Sequence, residues 1–129
     1  MNRDVIVTGS SAGGITALRI VLSKLPVDLP AIIIVVQHLA RESPKVLPDI
    51  LSRSGPLKAA FVEDGEMPSQ GRIYVAPPDH HVIIQSSGKL TLSRGPKENR
   101  VRPSVDPTFR SAALAFGART IGIVLSGYL

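Results

Sequence analysis

Apolar positions along the chain alternate between strand-like runs and helix-like spacing, and the changes of period mark out the elements. Val5 to Thr8 reads as a buried strand. From Gly14 to Leu25, the apolar residues Ile15, Leu18, Val21, Leu22 and Leu25 recur at helical spacing, and Pro26 follows as a stop. Ala31 to Val36 is an Ile/Val run without alternation, the pattern of a strand covered on both faces. Ser43-Pro44 suits an N-cap followed by a first-turn proline and predicts a short helix through Leu51. Within that helix Pro48 is expected to end or kink it.

Ala59 to Val62 predicts a short strand, and Arg72 to Ala76 another. Val82 to Gln85 and Leu90 to Leu92 alternate on either side of Ser87-Gly88, which predicts an antiparallel hairpin. Gly95 to Pro103 reads as a basic loop. Asp106-Pro107 is expected to cap a helix that runs to Phe116 and stops at Gly117, and Thr120 to Leu125 is a further Ile/Val strand. Strands alternating with helices predict an α/β fold with a doubly wound, mostly parallel sheet, helices on both faces and the hairpin appended. Sites in such sheets form beyond the carboxyl ends of the strands. The residues that follow the first two strands and the last one, Ser11, His38 and Gly127, all fall there.

Composition narrows the function classes. The 129 residues suit one domain, and 43% hydrophobic against 19% charged residues is an ordinary globular balance. There is no cysteine, which removes disulfides and thiolate metal sites. The longest apolar run is strand-sized, well short of the roughly 18 residues of a spanning helix. A strand starting directly after Met1-Asn2-Arg3-Asp4 leaves no room for a signal peptide, so a cytoplasmic location is expected.

The formal charge of +5 is unevenly spread, with Arg94, Lys97, Arg100, Arg102 and Arg110 crowded around a single acid, Glu98. Such a surface could attract an acidic partner or be a solvated loop. Nucleic acid is disfavoured because no aromatic residues interleave with the basic ones.

Gly9-Ser10-Ser11-Ala12-Gly13-Gly14 matches G-x-S-x-G between a strand and a helix. That spacing can expose a serine at a sharp turn as a nucleophile. It can equally cradle a phosphate at a helix N-terminus, although it lacks both G-x-G-x-x-G and the lysine of a P-loop. His38 favours the nucleophile: it follows Gln37 at an exposed strand end, where a neutral imidazole could accept the serine proton. His80 and His81 are rivals, and Asp79-His80-His81 suggests a metal site. Adjacent strand residues point to opposite faces, however, which makes a poor chelate, and both read as hairpin residues.

Six stretches in order over nearly the whole chain carry a resemblance to one family. They are Gly9 to Gly14, Val36-Gln37-His38, Glu63-Asp64-Gly65, Ile73-Tyr74-Val75-Ala76-Pro77, Asn99 to Asp106 and Leu125-Ser126-Gly127. Together they resemble the catalytic domain of the chemotaxis protein-glutamate methylesterase (CheB) family. The resemblance implies a Rossmann-like Ser-His-Asp hydrolase that removes methyl esters from glutamates on chemoreceptor helices, with glutamine deamidation in some members. It implies no metal or organic cofactor and no membrane insertion.

Carried over by position, Ser11 matches the nucleophile and His38 the general base. The backbone N–H of Ala12, where the family often has threonine, matches an oxyanion donor. Arg100 and Arg102 are expected to help bind the glutamate-rich receptor surface. The family's catalytic aspartate follows the Leu-Ser/Thr-Gly segment by a few residues and has no counterpart here. Asp49, Asp64 and Asp106 are not expected to replace it.

The sequence therefore predicts residues 1–129 as a C-terminally incomplete methylesterase domain without the receiver domain usual in the family. It should have weakened catalysis and an uncovered sheet face that favours oligomers. The rival readings are a receptor-binding module without turnover and a phosphate- or nucleotide-binding domain.

Overall fold

In the computed structural model of the chain, residues 3–10, 13–37, 46–98 and 100–125 are described. The central strands are β1 (Val5–Ser10) and β2 (Ile32–Gln37), paired in parallel from Val5↔Ile32 to Ser10↔Gln37. β3 (Lys58–Phe61), β4 (Arg72–Val75) and β7 (Thr120–Val124) complete a five-stranded sheet in the order β3-β4-β2-β1-β7, parallel throughout. β5 (His81–Ile84) and β6 (Leu90–Ser93) form the separate antiparallel hairpin.

Both faces of the central strands are buried, which is why their sequences run apolar without alternation. Ile33 and Val35 pack against Leu18 and Leu22 of helix α1 (Gly14–Ser23) and Leu47 and Leu51 of helix α2 (Leu47–Ser54). Ile32, Ile34 and Val36 join Val5 and Val7 in the opposite core. There they meet Val82, Ile84 and Leu90 of the hairpin and Val105 and Ala112 of helix α3 (Val105–Phe116). Successive residues of one strand thus serve two cores.

The expected role of Pro48 and the start of one predicted helix are corrected. α2 begins at Leu47, and Pro48 sits in its first turn, where a missing N–H is one of the unpaired donors anyway. Pro48 therefore neither ends nor kinks the helix; Ser43-Pro44 lies outside the described residues. The N-cap of α3 is Ser104, with extended φ −116° and ψ 147°, rather than Asp106, which occupies the first turn with Pro107. Gly117 does end α3, at φ 56°.

α3 lies close on the sheet because two strand residues have no side chain. A Cβ on Gly9 would come within 2.6 Å of Val105 Cγ2, and one on Gly122 within 3.2 Å of the Phe109 ring. At the opposite end of β1, Arg119 lies 2.8 Å from Asp4 and stacks 5.1 Å over the Phe116 ring, tying the α3–β7 connection to the start of the sheet. Gly9→Ala should cost about 1–3 kcal/mol through overpacking against Val105. A urea midpoint equal to that of the parent chain would contradict this packing.

Candidate active site

The carboxyl edge of the sheet around β1 is where several elements converge. The strand order reverses here: α1 leads from β1 to β2 on one side, whereas α3 leads to β7 on the other. This is the position at which open α/β sheets form their sites. Leu125 N–H donates to Gly9 O at 3.0 Å, which holds the exit of β7 against the end of β1. Val105 at the start of α3 covers Gly9 from the other face.

The glycines of the Gly9 to Gly14 run do different work. Gly9 admits Val105. Gly13 is the N-cap of α1 at φ 93°, with no atom within 4 Å of where a Cβ would stand. Backbone conformation, not space, selects glycine there. Ser11, Ala12 and His38 lie outside the described residues. What the structure describes are their immediate predecessors, Ser10 and Gln37.

Ser10 and Gln37 are the last register pair of β1 and β2, and both are buried, at 2% and 1% exposure. The Ser10 hydroxyl donates to Gln37 Oε1. An unpaired hydroxyl or amide in such a place would cost roughly 1–3 kcal/mol, so each makes the burial of the other tolerable. Two residues earlier on the same side of β1, Thr8 Oγ1 is buried without a hydrogen-bond partner. Gln37 closes β2 as a buried residue, while the exposed strand end expected at His38 from the sequence lies outside the described residues. The pair was missed from the sequence, although a polar residue closing each of two otherwise apolar runs was the available signal.

The basic region is more structured than its charge suggested. Arg102, with only 14% of its side chain exposed, bonds Asp79 Oδ1 through Nε at 2.9 Å and through Nη2 at 2.7 Å. Its Nη1 donates to the carbonyls of Arg94 and Gly95 at 3.1 and 3.0 Å. Arg94 bonds Asp79 Oδ2 at 2.9 Å, and Arg110 bridges both oxygens of Glu98 at 2.8 and 2.9 Å. Asp79 therefore clasps Arg94 and Arg102 to the connection between β4 and β5, and Arg102 is engaged within the chain. Arg100 is exposed, at φ 66°.

The two histidines have separate partners. His80 Nδ1 is 2.8 Å from Pro78 O. Buried His81 accepts the Ser104 N–H at Nδ1 (3.1 Å), which leaves Nε2–H to donate to Pro96 O (2.9 Å). His81 thus joins the hairpin to the start of α3. Among the described residues no group of His, Asp and Glu could hold a metal ion. Asp64 Oδ1 accepts the Leu92 N–H at 2.9 Å, a bond that fastens the hairpin.

The hydrogen bonds from Arg102 hold the Asp79 carboxyl at about 2, below its ordinary 3.8. A lowered carboxylate value stabilises the clasp above the unfolded-state value near 3.8, and the stabilisation is lost as pH falls from there through about 2. Asp79→Asn keeps a residue that tolerates φ 62° but removes the charge. It should speed trypsin cleavage after Arg94, Lys97 and Arg100 at neutral pH. Cleavage at the parent rate would show that the clasp does not order this segment.

Fold and site together define an α/β domain with a Gly/Ser turn between its first strand and helix. The family profile described as CheB methylesterase matches residues 6–129, and the chain belongs to this family. A protein-glutamate methylesterase/protein-glutamine glutaminase of Anaeromyxobacter dehalogenans is 38% identical over 124 residues, 95% of this chain and 36% of that protein. A putative protein of the same description from Leptospira interrogans is 35% identical over 127 residues, 98% of this chain and 66% of its own length. The crystal structure of the Thermotoga maritima CheB methylesterase catalytic domain matches with a TM-score of 0.90 at 36% identity, covering 98% of this chain and 69% of that one. The chain thus spans about a third to two thirds of the length of these curated relatives.

Proposed function

We propose that this chain supplies the nucleophile and base of a serine esterase acting on methylated glutamates of chemoreceptor helices, with glutamine deamidation as a related activity. The observation that carries the reading is the facing register of Ser10 and Gln37 at the carboxyl edge. Ser11 and His38 each come next along the chain. Family membership and the activities for which its relatives are named support the substrate class.

In this reading His38 accepts the Ser11 hydroxyl proton as Oγ attacks the glutamyl ester carbonyl, and the Ala12 N–H stabilises the oxyanion. The imidazolium returns the proton to the leaving methoxide, and methanol departs. Water, deprotonated by His38, then releases the glutamate carboxylate and restores Ser11. None of the residues 1–129 matches the family's triad aspartate. On their own they are expected to turn over roughly 10⁴-fold more slowly than a complete triad, in which the aspartate orients the imidazole and stabilises its charge.

Arg100 is the docking cation in this proposal. Arg102 contributes indirectly, by holding the segment through Asp79. No helix among the described residues is long and apolar enough to cross a membrane. The receptor substrate proposed above is what would place the protein in the cytoplasm.

The decisive comparison is methanol release from a fully methylated receptor signalling fragment by this chain and by Ser11→Ala. Slow release that disappears in Ser11→Ala is expected, together with Ser11 labelling by a serine-reactive phosphonate. Equal release from both chains would overturn the nucleophile assignment. Arg100→Glu should weaken capture of the fragment at low salt and lose that effect as salt rises. Capture unchanged at low salt would remove Arg100 from the docking surface.

A further inference from the structure

We propose that Ser10 and Gln37 are positioning residues, whose buried hydrogen bond fixes the relative placement of the strand ends from which Ser11 and His38 continue. This rests on reading Ser11 and His38 as nucleophile and base. Every other β1–β2 register position on this side of the sheet is filled by residues of the Ile6/Ile33 and Thr8/Val35 pairs, without a side-chain hydrogen bond between partners. Among the described residues the bond appears only at Ser10↔Gln37, the last described register pair, one residue before Ser11 and His38 along the sequence.

Backbone pairing alone leaves neighbouring strands some freedom to shift against each other. A side-chain bond across the Ser10↔Gln37 pair reduces that freedom one residue before the two groups of the proposed reaction. Stability does not require it: replacing both partners of a buried bond by apolar groups of similar shape is close to neutral. A nucleophile and its base are far more demanding, since a displacement of about 1 Å can slow a reaction roughly a hundredfold. The bond therefore belongs to the alignment of the site more than to the stability of the sheet.

The chain has no cysteine, so the alignment can be read without any catalysis. In a Ser11→Cys/His38→Cys chain, disulfide formation under a fixed oxidant reports how often the two positions approach. Cross-linking requires the two Cα atoms to come within roughly 4.4–6.8 Å of each other. Adding Ser10→Ala and Gln37→Leu together should slow cross-linking about tenfold or more while the melting temperature stays within a few degrees. Ser10→Thr, which restores the hydroxyl, should recover the rate.

Cross-linking within about twofold of the parent chain would overturn the proposal, as would slowing that merely tracks a loss of folded protein. In the chain retaining Ser11 and His38, the Ser10→Ala/Gln37→Leu change should lower the rate of phosphonate labelling and displace its pH profile. If the unmodified chain is not labelled at all, the esterase reading fails by itself, and the cross-linking rates still decide the positioning role.

Discussion

The parallel ladder between β1 and β2 is the constraint from which the rest of the structure follows. Its six register pairs place an Ile/Val strand beside another apolar strand, with both faces needing cover. α1 and α2 bury Ile33 and Val35, while α3 and the hairpin bury Ile32, Ile34 and Val36. One residue of slip would exchange the two sets of side chains between cores of different shape. The same ladder fixes which residues stand together where the strands end, so the packing of the core and the placement of the site are one geometric decision.

The approach of α3 shows how closely the two are linked. Gly9 belongs to the motif that introduces Ser11, yet its lack of a side chain is used on the other face, where Val105 would meet a Cβ at 2.6 Å. Gly122 serves the same helix on β7. The start of α3 is held in turn by Ser104 N–H on His81 Nδ1, and residues 94–102 by Asp79. The hairpin, the basic segment and α3 therefore form one connected support on the α3 face of the carboxyl edge. Arg102 is turned inward within that support, while Arg94 and Arg110 pair with Asp79 and Glu98 and keep most of their side chains exposed.

Most of the architecture was legible because it is written in local periodicity. Continuous Ile/Val runs marked the buried strands, helical spacing marked α1, and Ser87-Gly88 marked the hairpin turn. Errors arose where one residue type serves two purposes. Pro48 and Pro107 both resemble breaks or starts in a linear reading, and both occupy first turns where their missing N–H is harmless. The pairing of Asp79 with Arg94 and Arg102 was not legible, because opposite charges separated by turns of unknown path offer no preference among partners.

The sequence by itself determined the class of fold and the family resemblance, and it is the source of the proposed Ser11 and His38 pair, since these rest on residue types at fixed spacing along one chain. Tertiary structure alone decided that Ser10 faces Gln37 in a buried hydrogen bond, that Arg102 is turned inward to Asp79, and that Gly9 makes room for Val105. Each of these depends on which segments become neighbours and on which face of the sheet a side chain falls. Strand order and register set both, and they emerge only when all the apolar faces are buried at once.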